Sequence, residues 1–94
     1  MNARALVARN LRRLRVARGL SQEQLAVDAG IDRTYVGRLE RGRANPTVAV
    51  LERIAAALEA PIVELLVVPE PGQKAPPTLR PGRKAVRPRA GRAG

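Results

Sequence analysis

Cysteine, histidine, tryptophan and phenylalanine are missing from this 94-residue chain, and Tyr35 is its single aromatic residue. Without cysteine there is no disulfide scaffold, and without cysteine or histidine there is no zinc finger. The same absences remove the thiol nucleophile and the imidazole proton shuttle that small enzymes commonly use. Acid is scarce as well, at 8 residues against 18 lysines and arginines, for a net charge of +10. Those acids are scattered, with no converging pair and no metal-ligand spacing. No catalysis, cofactor or metal is therefore expected. No apolar run approaches the roughly 18 residues that span a bilayer, so no membrane partner is expected either. A lone tyrosine is a poor stacking platform, which argues against a coat for single-stranded nucleic acid.

What is present is alanine, leucine and arginine. Hydrophobic residues make up 45% of the chain, but 16 of them are alanine, a composition that favours helices packed closely on small side chains. The composition breaks near Val68. Residues 1–68 carry eleven arginines against seven acids, a net of +4. Residues 69–94 carry seven cations against Glu70 alone, with six of the eight prolines and four of the eight glycines. That second stretch has no apolar periodicity to bury and cannot offset the entropy of ordering. It reads as a disordered basic tail. Its role is either that of a solvated tail or that of an arm adding affinity for phosphate backbones.

Residues 1–68 read as helix after helix. The acid-free start MNARALVARNLRRLR has the composition of a transit peptide. However, Val7, Leu11 and Leu14 recur at helical spacing and run unbroken into the next element, as a removable presequence need not. A first helix is predicted from about Ala5 to Arg18, stopped by Gly19. Ser21 and Gln24 form an S-x-x-Q capping box for a second helix, with Leu20 and Leu25 as its hydrophobic staple and Leu25, Ala26 and Ala29 on the buried face. Gly30 makes a corner, and Asp32 caps a third helix with Val36 and Leu39 inward and Arg33, Thr34 and Arg38 outward. Gly42 stops it before the loop GRANP, and Thr47 caps a fourth helix carrying Leu51, Ile54, Ala55 and Leu58 at i, i+3, i+4 and i+7. Pro61 opens a fifth, short helix through Leu66. The link from Ala29 to Asp32 is too short for long antiparallel contact, so the second and third helices must cross steeply in a helix-turn-helix.

RGLSQEQLA, AGIDRTYVGRLERG, NPT and LERIAAAL together resemble the helix-turn-helix domain of phage lambda Cro and repressor type, the XRE family. The resemblance covers about residues 6–66, with the twenty-residue motif running from Gln22 to Arg41. It implies an all-α, five-helix, lambda-repressor-like domain whose third helix enters the major groove of double-stranded DNA. Arg33, Thr34 and Arg38 fall on the positions that meet base edges, where an arginine can donate two hydrogen bonds to guanine. Gln22, Arg41, Arg43 and Asn45 match backbone-contacting positions. The Tyr35 hydroxyl either reaches a phosphate or the ring packs on the second helix. Arg15 and Glu40 match a structural salt bridge between the first and third helices. Two departures stand out. Gly37 lies mid-helix and opens a closer approach to DNA, and Glu59 with Pro61 replaces the usual glycine turn and serine cap.

The stretch PIVELLVV carries more aliphatic residues than one short helix buries, which points to a homodimer through the fifth-helix region. The family implies such a dimer on a near-palindrome. The function expected is a cytoplasmic, nucleoid-associated transcriptional regulator, such as a repressor. The alternative is an antitoxin or bridging-factor type of protein-interaction module on the same fold, with a protein partner the sequence does not identify. Basic residues on the third helix favour DNA.

Overall fold

The structure, a computed structural model, describes residues 2–69. The basic stretch expected to be disordered lies outside these residues from position 70 on. Four α-helices are present, α1 (Ala3–Ala17), α2 (Gln22–Ala29), α3 (Arg33–Glu40) and α4 (Val48–Ala57), followed by a 3₁₀ helix, Ile62–Leu65. All regular structure among the described residues is helical. Each α-helix begins on a side-chain oxygen that accepts from a first-turn N–H. Asn2 accepts from Ala5, Ser21 from Gln24, Asp32 from Thr34 and Thr47 from Val50. Asn2 starts α1 two residues earlier than the apolar spacing predicts. Only half of the capping box at Ser21 forms, because the Gln24 amide donates to Asp28 Oδ1 at 2.9 Å.

The predicted fifth α-helix is instead a single 3₁₀ turn. Pro61 precedes it in an extended conformation and supplies no side-chain cap. The helices themselves stop on left-handed residues: Gly19, Gly30 and Gly42 at φ near +70°, and Glu59 at +55°. Glu59 tolerates this conformation beside Arg18, whose Nη1 donates to its carboxylate at 2.9 Å. That hydrogen bond first, and then the arginine's charge, hold the Glu59 carboxyl below its ordinary value. Its contribution is therefore present at neutral pH and is lost as pH falls through the lowered titration.

The principal contacts form a closed circuit. α1 packs on α3, α3 on α2, α2 on α4, α4 on the 3₁₀ helix, and the 3₁₀ helix back on α1. Leu11, Leu25, Val36, Leu39, Ile54, Leu58 and Leu65 fill the centre, and Ala26, Ala29, Ala44 and Ala55 let the helices approach closely. One polar side chain, Asn10, is wholly buried among them. Its Nδ2 donates to the carbonyls of Leu65 at 3.0 Å and Val67 at 2.9 Å, pinning the end of the described chain to α1. Its Oδ1 accepts from Arg9 Nη1 at 3.2 Å and from Arg13 Nη2 at 3.5 Å. Partial burial, and then the charge of Arg13, push the Arg9 guanidinium below its ordinary value. The signal for Asn10 lies in the periodicity, since it fills the i+3 slot of the stripe Val7, Leu11 and Leu14.

Asn10→Ala is expected to destabilise the domain by about 2 kcal/mol, because two buried carbonyls lose their donor. Asn10→Leu should not restore the loss, despite its apolar volume. Urea unfolding checks both, and an unchanged midpoint in Asn10→Ala would mean that water replaces the clamp.

Candidate nucleic-acid interface

α3 is only eight residues long, too short to hold its conformation or direction alone. Glu40, its last residue, supplies much of that direction. Arg15 of α1 grips the carboxylate with both edges of a fork, Nε to Oε2 at 2.5 Å and Nη2 to Oε1 at 3.0 Å. The third nitrogen, Nη1, donates to the Leu20 carbonyl at 2.8 Å, just past the end of α1. Gln22, which opens α2, adds Nε2 to Oε1 at 3.0 Å. One carboxylate thus ties three helices. It is largely withdrawn from solvent, with the side chains of Arg15 and Glu40 14% and 6% exposed. A carboxylate at the negative end of a helix is otherwise unfavourable, and the guanidinium offsets that.

The far side of α3 carries the opposite charge. Arg33, Thr34 and Arg38 are all exposed, and Arg41 and Arg43 follow in the loop. With Glu40 turned inward and paired, the segment from Arg33 to Arg43 presents four arginines and no outward acid. Arg38 is partly organised. Its Nη2 donates to the Arg43 carbonyl at 3.3 Å, and its guanidinium carbon lies 6.0 Å from the Tyr35 ring centroid. The Tyr35 ring itself is half-buried against the core. Among the described residues, the side chains of Arg33 and Thr34 make no hydrogen bond or ion pair, and both stand exposed.

The remaining candidate positions fall in different places. Asn45 is exposed in the loop before α4. The Gln22 amide is directed at Glu40, so this residue serves the inner node with at least one of its donors. Gly37 is buried, and the space a Cβ would take lies 3.3 Å from Arg41 Nη1. The missing side chain therefore seats the Arg41 guanidinium on the helix instead of leaving bare backbone. Arg53 of α4 was not indicated by the sequence pattern. It reaches across to the end of α2, with Nε donating to the Ala29 carbonyl at 3.1 Å and Nη2 to the Gly30 carbonyl. Its place in LERIAAAL looks like any solvated helix position, and no linear signal marks the contact. Among the described residues no three acids cluster so as to hold a metal ion. No helix there is long and apolar enough to cross a membrane.

Comparison with known proteins gives this surface a context. The family described as Helix-turn-helix matches residues 11–65. A Neisseria hypothetical transcription factor, from Neisseria meningitidis serogroup B, is 46% identical over 67 residues, covering 71% of this chain and 63% of that protein. This chain therefore spans less than two thirds of that relative. Control protein C.SmaI of Serratia marcescens is 41% identical over 66 residues, 70% of this chain and 79% of that protein. Among solved structures, the restriction-modification controller protein C.AhdI from Aeromonas hydrophila superposes with a TM-score of 0.65 at 44% identity, covering 66% of this chain and 94% of that one.

Arg15→Ala is expected to cost about 3 kcal/mol of stability, because it leaves the Glu40 carboxylate withdrawn from water without its cation. Arg15→Lys should recover only part, since one ammonium cannot serve both carboxylate oxygens and the Leu20 carbonyl with the same geometry. Thermal unfolding of the two variants beside the parent measures the difference, and full rescue by lysine would show that charge alone matters.

Proposed function

The chain belongs to the Helix-turn-helix family of XRE type, a family of DNA-binding transcriptional regulators, and from that premise we propose that it is a sequence-specific regulator of transcription. It binds double-stranded DNA as a homodimer on a near-palindromic operator, with α3 in the major groove. There it acts by occluding or recruiting at a promoter. In a bacterial cell its place is the cytoplasm, on the nucleoid. The observation that carries the reading is the exposed row Arg33, Thr34 and Arg38 on a helix whose one acid, Glu40, is turned inward and paired. Five residues at the helical rise separate Arg33 from Arg38 by about 7.5 Å along the axis, roughly two base steps. The two arginines are thus spaced to address separate base pairs, each discriminating by about 1–3 kcal/mol where it meets guanine. Arg41, Arg43 and Asn45 serve the phosphates beside that groove, and the Tyr35 hydroxyl lies at its edge.

The homodimer rests on the end of the domain. Val63, Leu66, Val67 and Val68 stand 59%, 42%, 38% and 72% exposed in one short segment. A second copy of the same segment covers them, and two-fold pairing repeats α3 about one helical turn away on the DNA. The controller relatives support the regulatory half of the reading, since C.AhdI is a restriction-modification controller protein and C.SmaI a control protein.

Selection of binding sites from random duplex DNA at about 150 mM salt tests the whole reading. A near-palindrome with guanines in each half-site is the expected product. A folded protein that enriches no sequence would overturn it in favour of a protein-interaction module. Arg33→Ala and Arg38→Ala are each expected to relax preference at one defined position per half-site while the melting temperature holds. Removal of residues 69–94 is expected to weaken non-specific binding and to flatten its salt dependence by about 0.9 in log–log slope for each phosphate that the stretch neutralises. An unchanged slope would make that stretch a bystander.

A further inference from the structure

We infer that Arg53, on the outer side of α4, is a positioning residue for the reading helix, fixing the bend through which α2 hands the chain to α3. The inference rests on the DNA-reading role of α3 proposed above.

The ends of α1, α2 and α3 share one pattern. In each, the glycine N–H turns back to a carbonyl three residues earlier: Gly19 to Val16, Gly30 to Val27 and Gly42 to Leu39. The next N–H reaches five back, from Leu20 to Arg15, Ile31 to Ala26 and Arg43 to Arg38. Later carbonyls are left for other donors. At α2 two of these, the carbonyls of Ala29 and Gly30, are filled from a different element. Arg53 Nε takes Ala29 at 3.1 Å, and its Nη2 takes Gly30. They belong to the peptides entering the link from Gly30 to Asp32, which carries α3. Because Nε and Nη2 belong to one rigid plane, holding both carbonyls fixes their relative orientation, which a point charge does not do. The cation also faces the negative end of α2.

Gly30 is shaped for this contact. Its φ of +70° already favours glycine, and a Cβ there would lie 2.9 Å from Arg53 Nη2. Arg53 is exposed, while α4 faces the core with Leu51, Ile54 and Ala55. The fork is therefore separate from the hydrophobic packing that joins α4 to α2. The two arginine forks act at opposite ends of α3. Arg15 holds Glu40 at the C-terminal end against α1, and Arg53 holds the approach to the N-terminal end against α4. Base reading tolerates only about 0.5 Å of misplacement, so a helix secured at one end alone loses discrimination before it loses its fold.

The test compares the 94-residue parent, Arg53→Met and Arg53→Lys on a selected operator and on unrelated duplex. Operator affinity is expected to fall about tenfold in both variants, with affinity for unrelated DNA and the salt slope unchanged in Arg53→Lys. Full rescue by lysine would overturn the fork in favour of simple charge. Equal loss on both duplexes in Arg53→Met, with the slope reduced by about 0.9, would make Arg53 a phosphate contact instead. No change in either variant would also overturn the inference. A second arm needs no DNA. Gly30→Ala should lower the melting temperature less in the Arg53→Met background than in the parent, because the backbone strain is common to both and the collision is not. Equal drops would remove Arg53 from the bend. If the parent selected no operator, the DNA reading would fail, and this cycle would still decide whether the fork holds the bend.

Discussion

Glu40 ends α3 with its side chain 6% exposed, and the side chains that hold it come from two other helices. Arg15 spends all three guanidinium nitrogens at this junction, two on the carboxylate and one on the Leu20 carbonyl. Gln22 adds a second donor to Oε1. An eight-residue helix has almost no directional stability of its own, so its attitude on the domain is borrowed from this junction. The electrostatics follow as well. With the acid turned inward and neutralised, the outward surface of α3 and its loop is left to four arginines. The interaction that orients the helix also keeps the helix's own acid off its outer face, leaving the exposed cap Asp32 as the acid beside the arginines.

Around that junction the elements close into a circuit, with α1 meeting both α3 and the 3₁₀ helix, and α4 meeting both α2 and the 3₁₀ helix. Small residues make the circuit tight. Ala26, Ala29, Ala44 and Ala55 are buried to 5% exposure or less, so the helices approach without large side chains between them. Arginine does the polar work at the seams. Arg15, Arg38 and Arg53 each donate to a backbone carbonyl near the end of a helix, and Arg18 pairs with Glu59 after α4. Because arginine stays charged at any physiological pH, these seams keep their donors across that range.

What the sequence makes legible is what short range decides. Ser21, Asp32 and Thr47 are recognisable caps because a cap needs only an oxygen and an N–H two or three residues on. The buried faces of α2, α3 and α4 follow from spacing alone. The last helix is misjudged because its fate is tertiary. Pro61 permits a helix to begin, but the Leu65 and Val67 carbonyls are taken by Asn10 from α1, and the segment stops after one 3₁₀ turn. Arg53 is illegible for the same reason, since its partners lie 23 and 24 residues away in sequence. For the outer face of α3, periodicity places Arg33, Thr34 and Arg38 outward, but family resemblance alone suggests their purpose.

The Asn10 clamp also bears on how the chain folds as it is made. Its two acceptors lie 55 and 57 residues further on, so during synthesis α1 is complete long before its buried amide has a partner. Until Leu65 and Val67 emerge, docking α1 into a core leaves that amide without its two carbonyl partners, at a cost of about 2 kcal/mol. The clamp thereby couples α1 to the end of the domain, a contact that only a chain made through residue 67 completes. A chain broken off before residue 65 lacks both acceptors, so truncation at the C-terminal end of the domain is felt directly in α1, at its other end.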